Sequence, residues 1–176
     1  MNSSLTDRFI FAAQRTTATV KRIKNSPESL CEAVLNNIKH EKKVLLAEPD
    51  DLSAELFAPL KKLSNIITNP TEAQMATTKT GITDAFAGVA RTGSVCLTIT
   101  GNLGGSISLY CREHIVILDS NSIVPRPREL FSENFLDGKG LERNFVFITG
   151  PSATADMGPL VRGVHGPGKL HIIILE

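Results

Sequence analysis

Near its end, the chain reads GVHGPGKLHIIILE. Gly163, four intervening residues, Gly168 and Lys169 come within one position of the phosphate-binding loop G-x-x-x-x-G-K-[ST]. In that loop, backbone N–H groups at a helix N-terminus cradle phosphate, and the hydroxyl after the lysine holds magnesium. Here Leu170 stands in the hydroxyl position. The residues after Lys169 are a continuous apolar run that reads as a strand, so no helix N-terminus faces a phosphate. The match is one of glycine-rich turn composition, not a nucleotide loop.

A better anion site lies just upstream. Phe145–Thr149 reads as a strand, and GPSATAD follows it directly. Gly150 permits a tight turn, and Pro151 holds the residue before it extended. Ser152 or Thr154 can cap a short helix, with Asp156 in its first turn; the same hydroxyls and free N–H groups can equally face a ligand. RTGS, from Arg91 through Thr92 and Gly93 to Ser94, is a second cluster of small donors, which turn chemistry alone also explains. His114 at a strand start and His165 in a Gly-rich turn are each either a hydrogen-bonded structural residue or an acid–base group. No H-x-x-H, H-E-x-x-H, G-x-S-x-G or strand-borne G-x-G-x-x-G is present, so no metal, hydrolase-elbow or dinucleotide signature appears.

Composition narrows the function classes further. The 176 residues are 41% apolar and 21% charged with a formal net charge of +1, ordinary for a globular domain. No Lys/Arg block, no Trp and a single Tyr leave neither a phosphate-tracking surface nor stacking platforms, which argues against nucleic acid. No apolar run reaches the ~18 residues of a bilayer span, and MNSSLTDRFIFAAQR lacks the basic start and apolar run of a secretory signal. Cys31, Cys96 and Cys111 are widely and irregularly spaced, with no zinc or iron–sulfur ligand run. They read as reduced thiols of a cytoplasmic protein with no cofactor of its own; any redox chemistry comes from a borrowed cofactor or a partner.

The elements that must position these residues follow from periodicity. Ser4 and Asp7 cap a helix carrying Leu5, Phe9, Ala12, Val20 and Ile23 at helical spacing, with Arg15, Lys21, Arg22 and Lys24 toward its end. Ser26 and Pro27 open a second helix that turns Leu30, Val34 and Ile38 inward. Short apolar runs at Val44–Ala47 and Asn65–Thr68 read as buried strands. Between them Asp51 caps a helix through Leu52, Leu56 and Leu60, and Asn69-Pro70 opens another that stops at Gly81. GITDAFAGVARTG and GNLGGS read as loops. Strands are expected at Ser94–Thr100, His114–Asp119, near Ile123, Phe145–Thr149 and His171–Leu175, with a helix over Arg128–Leu136. Strand–helix alternation predicts a parallel α/β sheet.

FITGPSATADMGPLVRGVHGPGKLHIIIL resembles the C-terminal signature of the LUD-domain family, in its lactate-utilisation protein C group. GITDAFAGVARTGSVCLT resembles that family's threonine–glycine turn region, and HIVIL with Ile123-Val124 its central strand. The likeness covers roughly residues 43–176. It implies a three-layer α/β/α fold with a mostly parallel sheet, similar to the sugar-phosphate isomerase, CoA-transferase and folinate cyclo-ligase superfamily. Residues 1–42 then form an N-terminal helical extension on the α/β domain. The resemblance implies that the GIT, RTGS, GPSATAD and GVHGP turns converge on one cleft at the strand carboxyl ends. There Thr83, Thr92, Gly93, Ser94, Ser152, Thr154 and Asp156 would contact a small anionic metabolite or cofactor, with His114 and His165 as acid–base groups. It also implies participation in oxidising lactate to pyruvate beside iron–sulfur companion proteins. Alternatives are an assembly subunit without catalysis, or a ligase or transferase on a phosphorylated or CoA-linked substrate. Arg91, the arginine-free loop at Gly105, Gly158 and Lys169 depart from the family pattern and alter the expected ligand chemistry.

Overall fold

Ser4 opens the first helix with a reciprocal cap. Its hydroxyl accepts the Asp7 N–H at 3.0 Å, and Asp7 Oδ2 accepts the Ser4 N–H at 3.3 Å. Helix α1 (Leu5–Arg15) follows and buries Phe9 and Ala13. The computed structural model describes residues 4–99, 103–136, 144–155 and 158–176.

The first helix does not run on to Ile23. Thr17 takes a left-handed φ of 67°, and the β-branched run beyond it forms strand β1 (Thr19–Ile23). Arg22, expected toward the end of that helix, instead lies in β1 and bridges Asp7 at 3.0 Å and Glu176 at 2.7 Å. Helix α2 (Pro27–Ile38) is as expected, with the Ser26 hydroxyl accepting the Ser29 N–H. Strand β2 (Val44–Leu46) is fully buried. A 3-10 turn (Ala54–Phe57) then leads into α3 (Ala58–Lys61), beginning after Ser53 and not at Asp51. Strand β3 (Ile66–Ile67) is followed by α4 (Glu72–Thr77), capped reciprocally by Thr71 and Gln74.

Two segments expected to be loops carry regular structure. The GIT segment is strand β4 (Thr80–Asp84), buried throughout, followed by β5 (Ala87–Val89) and β6 (Ser94–Thr98). The glycine-rich stretch that follows enters helix α5 (Leu103–Tyr110). Helix propensity argues against Gly104 and Gly105 there, but packing overrides it. Ile107 lies over Gly81 so closely that a Cβ on that glycine would sit 2.4 Å from its Cγ2. Strand β7 (Glu113–Asp119), β8 (Ile123–Val124), α6 (Glu133–Leu136) and β9 (Phe145–Ile148) come next. After β9 the expected short helix is replaced by a two-stranded antiparallel ribbon, β10 (Ala153–Thr154) with β11 (Val161–Arg162). Strand β12 (Lys169–Leu175) follows.

Six strands form a parallel sheet in the order β1-β12-β7-β4-β2-β3. Leu30, Val34, Ile38, Phe57 and Leu60 cover one face, over Ile82, Ile115, Ile117 and Ile173. The opposite face carries Val116, Leu118, Ile172 and Ile174. Phe9 and Ala13 of α1 cover it together with Val95 and Leu97 of the four-stranded sheet β8-β5-β6-β9. Helix α5 completes that layer, placing Ile107 and Cys111 on Leu45 and Ala47. The fold is three-layered α/β with a parallel centre. Within the stretch expected to be a helical extension, residues 4–42 hold an edge strand of the central sheet and side chains in both of its cores.

Candidate functional site

The expected site residues separate into three groups. Thr83 and His114 are buried inside the sheet, where Thr83 Oγ1 and His114 Nε2 lie 2.9 Å apart. His114 Nδ1 has no partner, and burial pushes the ring's pKa down to about 3. This is a neutral core imidazole, closed off from any cleft ligand.

A second group does come together. β6 and β9 are antiparallel neighbours, which carries Ser94 to the end of β9. The hydroxyls of Thr92 and Ser94 are 2.7 Å apart, and that of Ser94 is 2.6 Å from Thr149 Oγ1. Gly93, at φ +68°, presses on the backbone of α1; a Cβ there would lie 2.2 Å from the Ala13 nitrogen. Gly150, at φ +69°, meets the Thr16 carbonyl in the same way. These two left-handed glycines fit the turns around the end of α1.

From Thr149 the hydroxyl chain enters a cleft of about 400 Å³ lined by Ser108, Gly150, Ser152, His165, Pro167 and Leu170, among others. Ser152 Oγ accepts the His165 N–H at 3.3 Å, and the Ser152 N–H donates to the Pro167 carbonyl at 2.8 Å, tying the two turns together. The cleft joins GPS and GVHGP with the end of α5, while RTGS touches it through the Ser94–Thr149 hydroxyl contact and GIT is not among its lining. It lies beside the amino end of β12, not at the carboxyl ends of the parallel strands. The reason is topological: GVHGP precedes β12, and β9 pairs antiparallel with β6 in the smaller, mixed sheet. Thr154 is taken up in the β10–β11 ribbon, and Asp156 lies outside the described residues.

The carboxyl ends of the parallel strands carry a different group. After β2 the chain goes outward to β3, then returns to β4 on the other side of β2. The β2–β4 boundary is thus the topological switch point, where open α/β sheets commonly bind ligands. There, a cleft of about 270 Å³ is lined by Asp51, Leu52, Ala85, Phe86, Asp119 and Asn121, among others. Just behind it Asp84 Oδ2 accepts the N–H groups of Asp51 at 2.7 Å and Leu52 at 3.0 Å. Burial raises the Asp84 pKa above the usual carboxylate range, and those hydrogen bonds oppose the shift. Thr98 Oγ1 donates to Asp51 Oδ2 at 3.0 Å. Sequence reasoning missed this cluster because it read GITD as a turn. The available signal was that Asp84 and Asp119 each end a buried apolar run.

Among the described residues, no group of three or more His, Cys, Asp or Glu is placed to hold a metal ion. None of their helices is long and apolar enough to cross a membrane. Burial pushes the thiols of Cys96 and Cys111 up to about 12 and 11, so neither is a ready nucleophile.

The profile of the LUD domain matches residues 7–175. The chain belongs to the LUD-domain family. The match includes α1 and β1 as well as the later strands. Lactate utilization protein C of Bacillus subtilis (strain 168) is 36% identical over 100 residues, 54% of this chain and 42% of that protein. The protein of the same name from Halalkalibacterium halodurans is 37% identical over 100 residues, 54% of this chain and 44% of its own. YkgG of Escherichia coli (strain K12) is 32% identical over 130 residues, 72% of this chain and 54% of that protein. The alignments thus span about half the length of these relatives. The crystal structure of a DUF162 family protein from Deinococcus radiodurans superposes with a TM-score of 0.71 at 16% identity, covering 98% of this chain and 96% of that one. At that identity the likeness concerns the fold.

Proposed function

We propose that this LUD-domain chain is an accessory component of a lactate-oxidation system and binds a small anionic metabolite in the cleft beside β12. The names of its relatives support the system, and one observation carries the site. Hydroxyls and turn backbone from three separate segments meet around one cleft, which opens beside the exposed His165. Ser152 and Thr149 offer hydroxyl donors to a carboxylate, and the His165 imidazole offers a ring nitrogen to a hydroxy or keto group. In this reading iron–sulfur companion proteins carry the electrons.

A thermal-shift screen with lactate, pyruvate and other small carboxylates tests it. A ligand at a hundred times its dissociation constant stabilises by ~2.7 kcal/mol, raising the melting temperature by roughly 5–10 °C for a chain this size. That rise should vanish in a Ser152→Ala/His165→Gln double variant. No rise with any carboxylate would sink the ligand half of the proposal.

One observation favours the assembly reading. Arg8, Phe11 and Arg15 line one side of a groove of about 700 Å³, and Ala90, Arg91 and Thr92 line the other. Phe11 is 64% exposed, with the Arg15 guanidinium 5.8 Å from its ring centre. Arg8, Arg15 and Arg91 have no carboxylate partner among the described residues. Such a groove complements an acidic segment of a companion protein. In a strain lacking the gene, growth on lactate restored by the Ser152/His165 variant, but not by Arg8→Glu/Arg91→Glu, would favour docking over ligand binding.

A further inference from the structure

Three basic residues stand at the starts of three neighbouring parallel strands. Lys79 immediately precedes β4, Arg112 immediately precedes β7, and Lys169 opens β12. Backbone hydrogen bonds lock these starts together. The N–H groups of Arg112 and Glu113 both donate to the Lys79 carbonyl, at 2.7 and 3.0 Å, and the Lys169 N–H donates to the Arg112 carbonyl at 3.2 Å. Adjacent strands run ~4.8 Å apart, so Lys79 and Arg112 leave the backbone within reach of one small ligand.

Arg162 of β11, with Val161, Gly163 and Val164, forms the rest of a cleft of about 680 Å³. One guanidinium nitrogen of Arg162 donates to Thr17 Oγ1 at 2.8 Å, which holds the fork in place. At φ +77° Gly163 sits close against Gly168, and the absence of a side chain at both keeps the turn thin.

The charge balance identifies the ligand class. Among the described residues lining the cleft, Lys79, Arg112, Arg162 and Lys169 are matched by Glu41 and Glu113, leaving two positive charges uncompensated. Lys169 is ion-paired with Glu113, whereas Lys79, Arg112 and Arg162 have no carboxylate partner among the described residues. A phosphate monoester carries about −1.5 to −2 at pH 7, and its oxygens fit the guanidinium fork. A monocarboxylate would leave one cation unmatched. The volume lies within the range of small-molecule sites and exceeds that of phosphate alone. We infer that this cleft binds a small phosphate monoester of sugar-phosphate to nucleotide size. The cations that make the site come from Lys79, Arg112 and Arg162, while the lysine of the P-loop-like stretch is the one already paired. The cleft shares the Gly163–Lys169 turn with the Ser152–His165 cleft but is lined by different side chains, and it does not rest on the lactate reading.

Isothermal titration of the full chain with inorganic phosphate, ribose 5-phosphate and AMP tests the inference. At least one ester should bind saturably and about tenfold more tightly than inorganic phosphate. Lys79→Gln and Arg112→Gln should each weaken that ester by about tenfold or more. Both side chains are exposed, so an unchanged melting temperature will certify the fold of each variant. Absence of saturable binding up to about 10 mM, or equal affinity in the charge variants, would overturn the site. Inorganic phosphate binding as tightly as the esters would overturn the ester assignment. A phosphoserine hexapeptide binding about tenfold more tightly than AMP would overturn the small-molecule reading in favour of a phosphorylated protein.

Discussion

A neutral imidazole shut away from water sets how this protein responds to acid. His114 is 0% exposed, and protonating it inside the core would strand a charge beside a single hydroxyl. The unfolded chain takes up that proton near the ordinary histidine pKa of 6.5; the folded chain resists it down to about 3. Between those values the unfolded state holds more protons. The histidine's contribution is therefore complete above pH 6.5 and falls by up to ~1.4 kcal/mol per pH unit below it. Asp84 acts in the opposite sense, because its raised pKa favours the folded state at low pH and that contribution fades as pH rises through the folded value. Urea unfolding at pH 7 and pH 5 separates the two. A His114→Gln variant should lose a clear part of the acid-side slope whatever its stability at pH 7, with the remainder of the same sign from His171, whose pKa burial also lowers. An unchanged slope would show that the acid sensitivity lies elsewhere.

Helix α1 is held at the element scale by two glycines that let backbone meet backbone. The RTGS turn approaches its last residues at Gly93, and the GPS turn approaches Thr16 at Gly150. Together with the hydroxyl chain from Thr92 to Thr149, this joins α1, the start of β6 and the end of β9 into one block. Any side chain at Gly93 must push α1 away and also occupy a left-handed φ. Gly93→Ala should therefore cost more than ~1 kcal/mol and loosen α1. Amide hydrogen exchange should quicken in Leu5–Arg15 and at the start of β6, while β7 keeps its protection. Uniform loss of protection across the chain would contradict a local clamp.

At the scale of the whole molecule, both faces of the central sheet depend on residues from the first quarter of the chain. Phe9 and Ala13 cover one face, Leu30, Ala33, Val34 and Ile38 the other, and β1 pairs along β12 from Thr19 to Ile23. Fully burying one Leu, Ile, Val or Phe side chain contributes ~1.5–3 kcal/mol, so losing Phe9, Leu30, Val34 and Ile38 removes a total comparable to the ~5–15 kcal/mol by which domains are usually stable. A chain beginning at residue 43 should fail to melt cooperatively and should bind a hydrophobic dye. A sharp thermal transition in that fragment would restore the view of residues 1–42 as an appendage.

Local chemistry in the sequence determined a good part of this protein. The Ser4–Asp7 and Ser26–Pro27 signals place the starts of α1 and α2, because caps act over three or four residues. The apolar runs of β2, β7 and β12 are legible because strands buried on both faces need no alternation. The end of α1, the strand at GITD and the helix through Gly104 and Gly105 were decided by packing that no local pattern encodes. Site residues divide on the same line. Ser152 and His165 share a cleft, with Thr92 and Ser94 joined to it through Thr149, because antiparallel pairing brings the starts and ends of distant strands together. His114 and Thr83 were withdrawn into the core, where burial by α5 and the small sheet governs them. Asp51, Asp84 and Asp119 met at the switch point only when strand order fixed which strand ends are neighbours. Hydrogen bonds and caps act over a few residues and can be read in a line of sequence; the order and direction of strands bring together residues the sequence keeps far apart.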